Sequence, residues 1–170
     1  MSGEFDFIRD KLAPLAKGEG ALALSDDVAL LLDQDGPLIT SMDMMVAGRH
    51  FRPTDPYDTV ARKILGANLS DIVAKGARPV GYLLSCAWPQ PINKDQMDMF
   101  VAGLAAAHDR WAGLELLGGD TVTTDGPACF SVTIFGTCLG QGPVLRSGAK
   151  PGQQIWVSGN LGDAALGLQY

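Results

Sequence analysis

Apolar positions in this chain recur first at helical spacing, then in short unbroken runs, then at helical spacing again. Ile8, Leu12 and Leu15 fall on one face of residues 4–16, which predicts a short amphipathic helix. Two apolar runs follow at 21–24 and 28–32, separated by Ser25-Asp26-Asp27. Asp33-Gln34-Asp35-Gly36-Pro37 predicts a turn into a strand at 38–42. The next helix opens with Asp55 as N-cap and Pro56 at its first position, and stops at Gly76 with Pro79 just beyond. A strand at 80–86 ends before Trp88-Pro89-Gln90-Pro91. Asn93 and Gln96 form a capping pair for a second long helix, whose apolar face holds Met97, Phe100, Val101, Leu104 and Trp111 and which stops near Gly113. Residues 114–117 read as a strand leading into Gly118-Gly119-Asp120. A long strand spans 128–139, a last one 154–158, and a helix starts at Asp163.

Strands and helices mix along the chain with too few regular β-α-β units for a doubly wound sheet. The pattern predicts an α+β fold, a mixed β-sheet with flanking helices. No internal repeat or low-complexity linker divides residues 1–170, which read as one domain. The helix-forming run from Asp163 to Tyr170 carries no stop signal, so the expectation is a domain truncated within a helix.

Composition narrows the function classes. Hydrophobic residues at 46% and charged residues at 19% describe a globular chain without compositional disorder. A net charge of −6 and a pI near 4.7 argue against a nucleic-acid or anionic-membrane partner. No apolar run approaches the ~20 residues of a membrane span. Cys86, Cys129 and Cys138 are odd in number, far apart and without C-x-x-C spacing. They read as reduced thiols in a cytoplasmic protein, and the acidic opening Met1-Ser2-Gly3-Glu4 has no signal-peptide core.

The chemistry concentrates in four acidic positions, each beside glycine, serine or asparagine: Ser25-Asp26-Asp27, Ser41-Met42-Asp43, Asn68-Leu69-Ser70-Asp71 and Gly118-Gly119-Asp120-Thr121. Three stand at the end of an apolar stretch and the fourth interrupts a helix. If they converge, each pair repels by about 1 kcal/mol in water at ~4 Å, and by about 4 at a surface-like dielectric. Bound hard cations with oxygen ligands, magnesium and through it nucleotide phosphate, would make such a cluster tolerable. At 100° per residue Asp71 shares a face with Val60, Ile64 and Ala67, so it is expected to point toward the core, as a metal ligand or as an acid satisfied by backbone donors. Gly118 and Gly119 would let an anion approach the backbone beside Asp120, although Gly-Gly-Asp is also an ordinary turn.

Other polar residues read two ways. His50, between Arg49 and Phe51, is a structural or a substrate-facing histidine. His108 lies late in the second helix. Arg146 and Lys150, in Leu145-Arg146-Ser147-Gly148-Ala149-Lys150-Pro151-Gly152, form a phosphate grip or an exposed basic loop. There is no G-x-x-x-x-G-K-[ST] loop, no kinase catalytic-loop signature and no Ser-His-Asp ordering.

Taken in order, these segments resemble thiamine-monophosphate kinases, members of the aminoimidazole-ribotide-synthetase-like ATP-binding superfamily. The matching stretches are Gly3-Glu4-Phe5, Asp26 to Leu31, Asp43 to Phe51, Ala67 to Asp71 with Gly76-Ala77-Arg78-Pro79, Gly118 to Thr121, Arg146 to Gly152, and Gly159 with Leu161-Gly162-Asp163. The resemblance implies an N-terminal ATP- and magnesium-binding domain of a two-domain enzyme that makes thiamine diphosphate from thiamine monophosphate and ATP. It implies that Asp27, Asp43, Asp71 and Asp120 hold several Mg2+ ions with help from Ser41. It further implies that Gly119, Asp120 and Arg146 contact ATP, and that His50 faces the thiamine phosphate. A homodimer whose sheets pair into a β-barrel is implied as well. The chain departs from the family pattern at Ser25, Met42, Met44, Asp125 and Gln153. The alternatives are another ATP-using enzyme of the superfamily, or a non-catalytic dimerisation module of the same fold. The fragment alone is expected to be inactive.

Overall fold

Alternation along the strands decides the architecture, because it gives the sheet one apolar face and one mixed face. The computed structural model describes residues 4–31, 34–91, 93–157 and 159–167. Strands β1 (Leu38–Val46), β2 (Ala77–Pro89), β3 (Glu115–Thr124) and β4 (Cys129–Cys138) form one mixed sheet in the order β1-β4-β2-β3. β4 is antiparallel to β1 and β2, whereas β2 and β3 run parallel. Parallel neighbours need a long crossover, and helix α3 (Lys94–Arg110) supplies it. Helix α2 (Tyr57–Ala74) joins β1 to β2. The fold is α+β, as expected.

Directly paired residues share a face. Met45 faces Phe130, Leu84 faces Val132 and Tyr82 faces Ile134, and all six are buried beneath the helices. The core centres on an aromatic cluster: Phe100 of α3 stacks on Phe130 at 4.4 Å, and Trp88 meets both rings edge-on. Met42 and Met44 of β1 and Val122 of β3 point to the other face and stay exposed.

Several expectations about local structure are corrected. Residues 4–16 are not one α-helix: α1 (Glu4–Phe7) passes into a π turn at Ile8–Leu12 and a 3-10 turn at Ala13–Leu15. Pro14 lacks the N–H and crowds the carbonyl four residues back, so a regular ladder is lost there. Helix α2 is capped by Pro56, while Asp55 Oδ2 accepts from the Arg52 N–H at 2.8 Å. Strands β1 and β2 run longer than their apolar runs, because ladders with β4, and with β3 at Trp88 and Pro89, carry their polar and proline-containing ends. Residues 154–157 join no ladder among the described residues, and Ile155 and Trp156 are 93% and 87% exposed. Asn93 caps α3 through Gln96 N–H as anticipated. Asp163–Gly167 forms α4. The expected features at residues 1–3, 32–33, 158 and 168–170 lie outside the described residues. Among the described residues no helix is long and apolar enough to cross a membrane.

Candidate functional site

Strand β3 does not end at its glycines. It runs on through Gly118, Gly119 and Asp120, so Asp120 sits within a ladder opposite Ser85 and not in a turn. The reason is visible at Gly119, where a Cβ would lie 1.7 Å from the Leu84 carbonyl oxygen. Gly119 thus lacks a side chain because β2 occupies that space. Gly118 meets nothing closer than Leu83 at 3.5 Å and borders open space. Thr121 turns inward and accepts from Trp88 Nε1 at 3.2 Å, which leaves Asp120 exposed on the opposite side.

Asp120, Gly118 and Gly119 share a cavity of about 510 Å³ with Ser85, Thr133, Asp26 and Asp27. The loop bearing the two acids is closed at its base by Leu30 N–H donating to Gly20 O at 2.8 Å. Asp120 and Asp27 therefore face one space at the β3 edge of the sheet.

Ser41 and Asp71 meet elsewhere, with Asp43 nearby in sequence. The Ser41 hydroxyl donates to Asp71 Oδ2 at 2.9 Å, and Asp43 follows two residues later on the same face of β1. The expectation that Asp71 points toward the core is corrected: it is exposed. The buried stripe of α2 instead centres on Ile64, Leu65, Asn68 and Ile72, and Asp71 flanks it on the side of β1. Asn68 is fully buried. Its Nδ2 donates to Ile64 O at 2.9 Å, while its Oδ1 has no partner. An orphaned buried acceptor costs about 1–3 kcal/mol, and this one lies one turn from Asp71.

The structure thus places the four acids in two sets at opposite edges of the sheet, with β4 and β2 between them. Among the described residues no group of three or more His, Cys, Asp or Glu side chains is placed to hold a metal ion. Both sets offer only hard oxygen donors. That suits Mg2+, which takes one or two carboxylates and completes its shell with phosphate and water.

His50 belongs to the turn after β1. Its Nδ1 accepts from the Val46 N–H at 3.0 Å, so the neutral ring carries its proton on Nε2, and its carbonyl accepts from Lys63 Nζ. Arg146 lies exposed in a single 3-10 turn, Arg146–Gly148, and the Lys150 N–H donates to Gln153 Oε1 at 2.8 Å. Neither residue lines the acidic cavity. His108 is partly buried in α3 against Tyr82, with Nε2 2.8 Å from the phenol oxygen, and burial lowers its pKa. Sequence reasoning did not single out Ser85 or Thr133, because their role depends on register and no local signal marks them.

The family model of AIR synthase related protein, N-terminal domain, matches residues 25–141. A thiamine-monophosphate kinase of Caulobacter vibrioides is 46% identical over 170 residues, which cover 97% of this chain and 47% of that protein. The crystal structure of thiamine-monophosphate kinase from Stenotrophomonas maltophilia superposes with a TM-score of 0.80 at 35% identity, covering 96% of this chain and 50% of the other. AaThiL complexed with AMPPCP and TMP superposes at 0.73 with 27% identity, covering 97% and 50%. The chain spans about half the length of the curated relatives it matches. On the family match, which takes in well over half of its residues, this chain belongs to the AIR synthase related proteins through their N-terminal domain.

Proposed function

We propose that this chain is the ATP- and magnesium-binding part of a thiamine-monophosphate kinase, which transfers the γ-phosphoryl group of ATP to the phosphate of thiamine monophosphate. The observation that carries this reading is the cavity in which Asp26 and Asp27 face Asp120 beside Gly118. Asp27 and Asp120 would hold Mg2+ at one edge of the sheet, and Asp43, Asp71 and Ser41 would hold it at the other. When bound, the ion neutralises phosphate charge and aligns the two reactants. The residues of this chain bind and orient. A phosphate monoester has a second pKa of about 6 and is already largely a dianionic nucleophile at neutral pH, so no side chain has to remove a proton. In this reading Gly119 and Arg146 contact the nucleotide and His50 faces the thiamine phosphate.

A homodimer belongs to the same reading. Setting the β1 edge of one copy against the β3 edge of another closes two four-stranded sheets into a barrel and leaves no free edge. It would also bring the Ser41–Asp43–Asp71 set of one copy toward the Asp27–Asp120 set of the other. Mixing inactive Asp71→Asn and Asp120→Asn proteins tests this arrangement. Mixed dimers should regain activity at one of their two sites, and a mixture as inactive as its components would overturn the shared site. A cytoplasmic location fits the three free thiols.

The activity itself is tested by thiamine diphosphate formation from thiamine monophosphate, ATP and Mg2+. The full-length protein should form the product. The 170-residue chain alone should not, since the relatives are about twice as long. No product from the full-length protein would overturn the assignment.

A further inference from the structure

Between the N-terminal helical turns and the acidic loop, the chain is held at one point by a side chain from the sheet. The Gly18 N–H donates to Glu115 Oε2 at 2.9 Å, a partly buried bond across 97 residues of sequence. The fit is close: a Cβ on Gly18 would stand 3.0 Å from Glu115 Cδ. From this point the chain enters a strained path. Leu22, Ala23 and Leu24 adopt φ of 48°, 55° and 53°, three successive left-handed residues without a glycine among them. Each costs about 1–2 kcal/mol relative to the right-handed form, and such geometry persists only where the surroundings fix it. Ser25 closes the turn with its N–H and hydroxyl both on Leu22 O, at 3.1 and 2.6 Å. Asp26 and Asp27 follow at once, and Leu30 returns to Gly20, where a Cβ would lie 2.3 Å from the Leu30 oxygen.

Glu115 is also the first residue of β3, five positions before Asp120. One strand therefore carries Asp120 and the anchor of the loop that faces it. We propose that Glu115 is a positioning residue: through the Gly18 amide it fixes where Asp26 and Asp27 stand relative to Asp120. This rests on the proposed magnesium–nucleotide site and adds the device that sets its span. Glu115 lies outside the set of groups that line the cavity, so its effect passes through the backbone of residues 18–30.

The test is the Mg2+ concentration giving half-maximal binding of a fluorescent ATP analogue to the full-length protein. Glu115→Ala should raise it by about tenfold or more, the scale on which orienting partners act at metal sites. Glu115→Gln keeps an acceptor oxygen and should stay within about twofold of the parent. Gly18→Pro removes the donor at a residue whose φ of −74° already suits proline, and its ring would also displace the Glu115 carboxylate, so it should be impaired at least as far as Glu115→Ala. It also carries the test if Glu115→Ala does not fold. The double variant should be no worse than Gly18→Pro alone, since both delete the same bond. The inference is overturned if Glu115→Ala or Gly18→Pro leaves the magnesium dependence unchanged, if Glu115→Gln is as impaired as Glu115→Ala, or if the two losses add. Asp120→Asn separates this from failure of the site: if that variant binds like the parent, the site reading falls and the inference with it.

Discussion

Ser41 and Asp71 are joined by a 2.9 Å hydrogen bond that ties the edge strand β1 to the outer flank of α2. The bond spends a carboxylate lone pair on a neutral hydroxyl and leaves the rest of the Asp71 carboxylate exposed to solvent. An exposed carboxylate held by one neutral donor is open to a cation, and its removal should cost little stability. Asp71→Asn should therefore lose magnesium-dependent nucleotide binding at an unchanged or slightly higher melting temperature. Titration with Mg2+ at fixed ATP analogue reads the effect, and parent-like binding would refute the role.

Much of the scaffold was legible because caps and periods are local. Asn93 with Gln96, the long β4 and the apolar stripe of α3 could be read from a few neighbouring residues, except that Trp111, expected on that stripe, lies just past the helix end and is exposed. Most of what failed was non-local. Residues 154–157 have strand composition yet join no ladder among the described residues, while Pro14, a local signal, broke a helix whose apolar spacing looked regular. The direction of Asp71 was misread because Asn68, one turn away, took the buried position. The two-edge arrangement of the acids was invisible, since it depends on the strand order β1-β4-β2-β3, which no single segment encodes.

The two glycines of β3 should respond differently to the same change. Gly119→Ala drives a methyl group into the Leu84 carbonyl, with 1.7 Å available, and backbone cannot yield as a side chain can. Overpacking of this kind costs about 1–3 kcal/mol or more. Gly118→Ala meets only Leu83 at ordinary contact distance and should fold normally. Chemical denaturation of the two variants checks this. Equal stability would mean that β2 and β3 do not approach as described.

Stability should fall with acid in a window set by His108. Burial lowers its pKa below the ordinary histidine value of 6.5, and Lys17 acts the same way, while Glu115 and Asp109 oppose them. The unfolded chain therefore binds the proton more readily than the native one, and stability rises with pH across the interval between the two pKa values. The contribution is complete above about 6.5 and is lost as pH drops through the lower native value. His108→Gln keeps a polar partner for Tyr82 and removes the titration. Its melting temperature should change less between pH 7.5 and pH 5.5, about one unit to either side of that pKa, than the parent's does. An identical pH dependence in both proteins would rule the histidine out.

The open face of the sheet sets the expected assembly. Met42 and Met44 on β1 are 59% and 52% exposed, and Val122 on β3 is uncovered as well, so apolar side chains stand on the solvent face of both edge strands. Exposed edges with apolar flanks invite pairing, and a two-fold partner presenting the same surface satisfies both at once. A stable interface needs about 800 Å² from each partner, which a four-stranded face with its edges can supply. Light scattering should give twice the 17.9 kDa of one chain at micromolar concentration. Met44→Arg places a charge in the centre of that contact and should shift the protein toward monomer, with little change in far-UV circular dichroism because the side chain makes no core contact. A parent protein of monomer mass, or a Met44→Arg variant that stays dimeric, would show that this face is not the one that pairs.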